Sequence, residues 1–208
     1  MNIPSKILEN AVDQIASLPG IGKKTALRLA LSLLKRSQSE VSDFVEAIDE
    51  LKRSIKLCKT CYNLSDEPSC KICSNPARDQ QVICIVEDIR DVMAIESTSQ
   101  FKGVYHVLGG IISPMDGIGP GDLRINELIS RIDQNKEIKE IILALSTTME
   151  GDTTAFYLYR KLDEKGLEIS TIARGVSIGD ELEYIDEVTL GRSILHRTPY
   201  KNSLHKQS

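Results

Sequence analysis

The sequence predicts an α+β chain of several domains, and three observations carry that prediction. Residues 1–57 hold apolar side chains at helical spacing, four cysteines follow as Cys58-x2-Cys61-x8-Cys70-x2-Cys73, and after Pro76 short β-branched runs alternate with helical patterns. Composition bounds the rest. At 208 residues and 41% hydrophobic content, the chain has enough apolar mass for ordinary globular interiors. Only 4% is aromatic and Trp is absent, which argues against base-stacking platforms as the main recognition device. A net charge of −4 excludes a uniformly basic coat, so any nucleic-acid surface must be local. Met1-Asn2-Ile3-Pro4-Ser5-Lys6 leads into no apolar signal segment and no stretch approaches membrane-spanning length, so the expected setting is cytoplasmic, away from membranes.

In chain order, Ile7, Leu8, Ala11, Val12, Ile15 and Leu18 fall on one helical face, and the pattern stops at Pro19-Gly20-Ile21-Gly22. A second helical series follows through Ala26, Leu27, Ala30, Leu33 and Leu34. Two helices joined by a tight Gly-rich turn make a helix-hairpin-helix unit. The free N–H groups at the start of its second helix form a natural seat for phosphate. Between Gln14 and Ser39 stand five basic residues and no acidic one. Lys24 and Arg28, four apart, share a face from which they can straddle a phosphate backbone, with Lys23 beside them. Nothing there reads base edges, so the expected DNA binding is independent of sequence and weakened by salt. Residues 40–57 read as another amphipathic helix, with Val41, Phe44, Val45, Ile48 and Leu51 on its apolar side.

Cys58, Cys61, Cys70 and Cys73 form two knuckles able to present four thiolates to one tetrahedral ion, the preferred set for structural Zn2+. An iron–sulfur cluster would use the same thiolates, whereas two disulfides would suit a secreted chain. Residues 62–69 show no periodicity and would be poorly ordered without a cross-link. Cys84 stands apart, inside an apolar run, and reads as a buried small side chain.

Beyond Pro76, residues 81–86, 104–108, 138–145 and 168–173 read as strands, with helices at 89–95, 125–132 and 153–162. That order predicts a mostly parallel sheet covered by helices, with functional groups beyond the strands' carboxyl ends. Glu87, Glu150 and Asp152 fall there, and two readings stay open. The three carboxylates either converge on Mg2+ for phosphodiester chemistry or form an acidic rim for a basic partner. No nucleophile accompanies them, and His106, His196 and His205 are scattered. Residues 109–121 contain seven Gly or Pro and form a shaped loop that lacks the ending of a phosphate P-loop; it either lies against nucleic acid or is a folded connector. Residues 183–190 read as a further strand, and 201–208 as a disordered tail.

The order of these parts resembles the RecR family of bacterial recombination proteins. The resemblance rests on residues 18–30, the four cysteines, Val86-Glu87, Gly109-Gly110 with Ser113-Pro114 and residues 116–119, and residues 181–190, and it spans about residues 5–198. It implies a helix-hairpin-helix DNA-binding domain at 1–56, a four-cysteine zinc finger at 57–77, a Toprim domain with a mostly parallel sheet at 78–175, and a strand-bearing, Walker-B-like extension with the tail at 176–208. It also implies a homotetrameric ring that encircles DNA in the nucleoid and acts with RecO, and with RecF where present, to load RecA at single-stranded gaps. The family's DNA-contacting pair falls on Lys24 and Arg28, with Lys23 an added charge. Glu87 takes the Toprim glutamate position. Glu150-Gly151-Asp152 stands where Glu-Gly-Glu is usual, so the second acid is shortened. Family members are not regarded as enzymes, and the acidic cluster Glu87, Glu150 and Asp152 is implied in binding RecO. The alternative is a Mg2+-dependent Toprim nuclease.

Overall fold

A computed structural model describes residues 3–177 and 179–199. It separates into two compact units, divided between Lys56 and Leu57.

In the first unit, α1 (Lys6–Ala16) begins at Ser5, whose hydroxyl accepts the Leu8 N–H at 3.4 Å, and it stops before Pro19. Gly20 takes the left-handed conformation, φ 79°, that reverses the chain into α2 (Lys23–Leu33). Val12 of α1 packs on Ala26 and Ala30 of α2, and the two small side chains let the helices approach closely. Helix α3 (Gln38–Ser54) opens with a capping box in which Ser37 and Glu40 bond each other's backbone N–H groups. It buries none of its residues, and its apolar positions Phe44, Val45, Ile48 and Leu51 are all exposed.

At the boundary β1 (Lys56–Leu57) pairs with β2 (Leu64–Ser65) in a short ladder, so the stretch without periodicity still contributes a strand. Four parallel strands follow, β3 (Asp79–Val86), β4 (Gly103–Val107), β5 (Glu140–Ala144) and β6 (Glu168–Thr171), in the order β4-β3-β5-β6. Ile83 and Ile85 point to a face covered by α5 (Ile125–Gln134) and α6 (Met149–Leu162). Cys84 and Val86 point to the other, against Val92 of α4 (Ile89–Ser97). Burial pushes the Cys84 thiol up to about 12, which keeps it a neutral apolar filler.

Edge strand β4 would present unpaired backbone groups to water. Its outward groups are instead taken up. The Val107 N–H donates to the Cys61 carbonyl at 2.8 Å, Arg131 donates to the Tyr105 carbonyl at 2.7 Å, and Arg78 to that of Gly103 at 3.3 Å. The cysteine knuckle is therefore the cover of the sheet's edge.

Two expectations change. The strand read at residues 183–190 is absent. A 3-10 turn, Leu182–Tyr184, leads to helix α7 (Glu187–Leu195), so the extension bears a helix and no strand among its described residues. Glu187-Val188-Thr189-Leu190 alternates polar and apolar side chains as a strand would, but Asp186 caps a helix by accepting the Thr189 N–H at 2.8 Å. Helix α6 also starts at Met149, so Glu150 and Asp152 sit in its first turn. The tail expected to be disordered, 201–208, and His205 within it lie outside the described residues.

Candidate functional site

The four cysteine sulfurs lie within 4.8 Å of one another, and among the described residues no other group of three or more His, Cys, Asp or Glu gathers this way. Four Zn–S bonds of about 2.3 Å in a tetrahedron place sulfurs about 3.8 Å apart, and Cys61 and Cys70 are 3.5 Å apart. The donor set asks for a cation. Burial pushes the Cys58 thiol up, but N–H groups of Cys70, Cys61 and Thr60 outweigh it and bring it to about 6. Cys61 is driven up, first by its hydrogen bond with Cys73 and then by burial, and Cys70 is driven up by burial. Four such groups cannot all ionise in one buried cluster unless a metal compensates them. Tyr62, held at φ 62°, turns the knuckle so that its ring meets His106 edge-on at 5.5 Å, with the Arg124 guanidinium 5.2 Å above it. Burial holds the Arg131 guanidinium's pKa below its ordinary value, and the charge of the four cysteines, Cys73 first, offsets only part of that.

On α2, Lys24 and Arg28 are exposed and border a groove of about 400 Å3 with Leu27, Leu31, Ser32 and Lys35. The helix begins at Gly22 without a side-chain cap and carries no acid in its first turn, so its positive dipole end is uncompensated. Lys23 differs from its neighbours, because its ammonium pairs with Asp13 at 3.1 Å.

The carboxyl ends of the parallel strands gather the acids. Glu87 follows β3 directly, and its carbonyl accepts the Gly109 N–H at 2.9 Å, which sets the 109–121 loop beside it. Burial raises the Glu87 pKa, Asp91 and Asp88 add to the rise, and Arg90 and a hydrogen bond from Ser146 offset part of it. Asp88 caps α4 by accepting the Arg90 N–H at 2.7 Å, while the Asp91 carboxylate accepts the N–H of both Glu87 and Asp88. Asp152 is held low by Arg174, whose Nη2 donates to it at 2.6 Å, with Arg192 of α7 at 4.0 Å. Glu87, Glu150 and Asp152 therefore share one edge without clustering as a metal-binding set. Sequence reading missed Arg174 and Arg192, since their pairing with Asp152 spans 22 and 40 residues and leaves no local pattern.

Two histidines, His106 and His196, lie among the described residues. His106 is fully buried, its Nε2–H donates to the Arg124 carbonyl at 2.8 Å, and burial lowers its pKa to about 4. His196 lies at the end of α7, with Nδ1 3.1 Å from the Arg192 carbonyl.

Family models match four stretches of the chain. Residues 8–52 match the RecR helix-hairpin-helix, 55–75 the RecR four-cysteine zinc finger domain, 81–173 a Toprim domain and 175–198 the RecR C-terminal model. The chain is 62% identical over 197 residues to recombination protein RecR of Parabacteroides distasonis, covering 95% of this chain and 94% of that one. It is 59% identical over 201 residues to the same protein of Porphyromonas gingivalis, covering 97% of each. With that of Flavobacterium johnsoniae it shares 55% identity over 203 residues, covering 98% of each. The cysteine quartet is thus a structural zinc site. No helix of the described residues is long and apolar enough to cross a membrane.

Proposed function

The chain belongs to the RecR family of recombination proteins, and from that premise we propose that it is a non-catalytic, DNA-binding mediator and clamp. It acts with RecO, and with RecF where present, to load RecA at single-stranded gaps during recombinational repair. In this reading the working form is a tetrameric ring in the cytoplasm, associated with the nucleoid. The basic turn of α2 meets the sugar–phosphate backbone, and the acidic edge around Glu87 and Glu150 meets RecO.

The observation that carries the reading is the exposed pair Lys24 and Arg28, in the first and second turns of a helix without a side-chain cap, in a chain whose net charge is −4. Charge reversal there tests it. Lys24→Glu with Arg28→Glu should abolish binding to gapped and single-stranded DNA in anisotropy measurements at low salt and leave the melting temperature unchanged. Retained affinity would remove α2 as the DNA site. The pairing of Asp152 with Arg174 supports the non-catalytic assignment over a Mg2+-dependent nuclease, because it engages one of the three carboxylates that such a metal would need. Cleavage of nicked or supercoiled DNA with Mg2+ or Mn2+, lost in Glu87→Gln, would reverse that assignment.

A further inference from the structure

The loop at residues 109–121 belongs neither to the zinc site nor to α2, yet it is braced along its whole length. Ser113 and Ile118 exchange two backbone hydrogen bonds at 3.0 and 2.9 Å, and the Ser113 hydroxyl donates to Asp116 at 2.6 Å. Gly117, at φ 73°, makes the reversal between them. At its near end the Ile112 N–H donates to buried Thr154 at 2.9 Å, which ties the loop to α6; at its far end Asp122 accepts the Gly119 N–H at 2.8 Å. On the apex of this braced turn stands Met115, 93% exposed and the most exposed large apolar side chain among the described residues. It adds nothing to the packing of its own domain. A stiff turn presenting an unbranched, polarisable side chain is instead suited to insertion, because little ordering cost remains to be met on binding.

The surroundings decide what it inserts into. Glu87, Asp88 and Asp91 follow β3, Asp116 lies in the loop that follows β4 and Glu150 opens the helix that follows β5, and the nearby cations Arg90, Arg124 and Arg174 are already paired with Asp88, Glu127 and Asp152. A phosphate backbone would be repelled there, whereas a basic protein surface would be attracted. Gly109 at the loop's start and Asp122 just after its end also line a cavity of about 320 Å3 with Leu57, Leu64, Ile89 and Arg124, large enough to receive an apolar side chain in return.

We propose that Met115 is an apolar anchor for a basic protein partner, entering a pocket on that partner while Glu87 and its neighbours meet the surrounding positive charge. This deepens, and rests on, the assignment of the acidic edge as partner-facing. The test uses the full chain with zinc and RecO of the same organism as the probe, with affinities measured by titration calorimetry. Met115→Gln should weaken RecO binding by roughly tenfold or more with little change in salt dependence, as expected for a lost buried anchor. Met115→Leu should restore most of it. Glu87→Gln should weaken binding and flatten its salt dependence. Unchanged RecO affinity in Met115→Gln, with a loss in Glu87→Gln, would overturn the anchor and leave the acidic edge standing. No loss in either variant would remove the partner-facing edge as well. Weakened DNA binding in Met115→Gln, or a changed oligomeric mass in light scattering, would also overturn the anchor, placing nucleic acid or a second copy of the chain on the loop.

Discussion

Gly151 sits in the first turn of α6 between Glu150 and Asp152, and a single methyl there should have a large effect. An alanine Cβ would lie 2.0 Å from the Ser146 carbonyl oxygen, 2.7 Å from its hydroxyl and 2.8 Å from its carbonyl carbon, where ordinary contact begins at 3.4 Å. The helix start and the exit of β5 must therefore part by about 1.4 Å, the difference between 3.4 and 2.0 Å. Helix α6 cannot yield freely, because Thr154, Leu158 and Leu162 are fully buried and Thr154 also holds the 109–121 loop. Overpacking of this kind costs about 3 kcal/mol. For a protein of this size that corresponds to a fall in melting temperature of about 6–12 °C. The sign is what makes the experiment decisive: Gly→Ala inside an unobstructed helix stabilises by about 0.5–1 kcal/mol. Calorimetric melting of the zinc-loaded Gly151→Ala variant should show the fall, and RecO binding should weaken, since Glu150 and Ser146 move with the backbone. DNA binding below the transition should persist, because α2 belongs to the other unit. An unchanged or raised melting temperature would refute the close approach.

Removing zinc with a chelator should abolish cooperative melting of the second unit, because apparent binding energies of structural zinc, about 10–16 kcal/mol, rival the whole stability of a domain. The Val107 amide, bonded to the Cys61 carbonyl, should lose hydrogen-exchange protection at the same time, and retained protection would separate the finger from the sheet edge. On α2, Lys23→Ala should cost less DNA affinity than Lys24→Ala because Asp13 already holds Lys23. Asp13→Asn frees that ammonium for one more phosphate, and the salt dependence of duplex binding should steepen by about 0.9 in log–log slope; equal losses in the two lysine variants would contradict this. Glu87 is raised above its ordinary 4.5, so the folded form binds its proton more tightly than the unfolded form does. Stability therefore declines as pH rises from 4.5 through the raised value. Glu87→Gln cannot ionise, and it should melt higher than the parent at pH 7 and equal to it below about pH 4. A lower melting temperature at pH 7 would contradict the burial of that charge.

Much of this was legible because some physical constraints act locally. A strand buried on both faces must be apolar along its length, so residues 81–86 and 138–145 announce a parallel sheet without any knowledge of their partners. Four thiolates on one ion likewise fix a spacing of knuckles that the chain cannot hide. What stayed hidden depends on distant residues. That the Cys61 carbonyl caps Val107, or that Arg131 reaches Tyr105, follows from the order of strands in space, and no pattern around position 61 or 131 encodes it. The error over α7 has another origin. Four alternating residues, 187–190, are a weak signal for a strand, and the capping carboxylate of Asp186 starts a helix there instead. The apolar face of α3 was read correctly as a helical stripe, but its exposure in the folded unit was not.

Charge divides along the boundary between the units. Residues 1–56 contain 9 Lys or Arg against 7 Asp or Glu, a net of +2, which leaves 17 against 23, or −6, for residues 57–208. The sum is the modest −4 of the whole chain, which by itself suggests no affinity for DNA. Because screening acts over about 8 Å at physiological ionic strength, a ligand at either surface responds to the local charge and not to the total. On the proposed reading a phosphate backbone is drawn to α2 and repelled from the strand ends, and a basic protein responds in the opposite sense. The shortened acid fits this division. As Asp152 it pairs with Arg174 and Arg192, binding the start of α6 to the extension, and leaves the outward charge of the edge to Glu87 and Glu150. If that is its role, Asp152→Asn should release α7 and lower the melting temperature, while Glu150→Gln should leave stability alone and weaken only the partner.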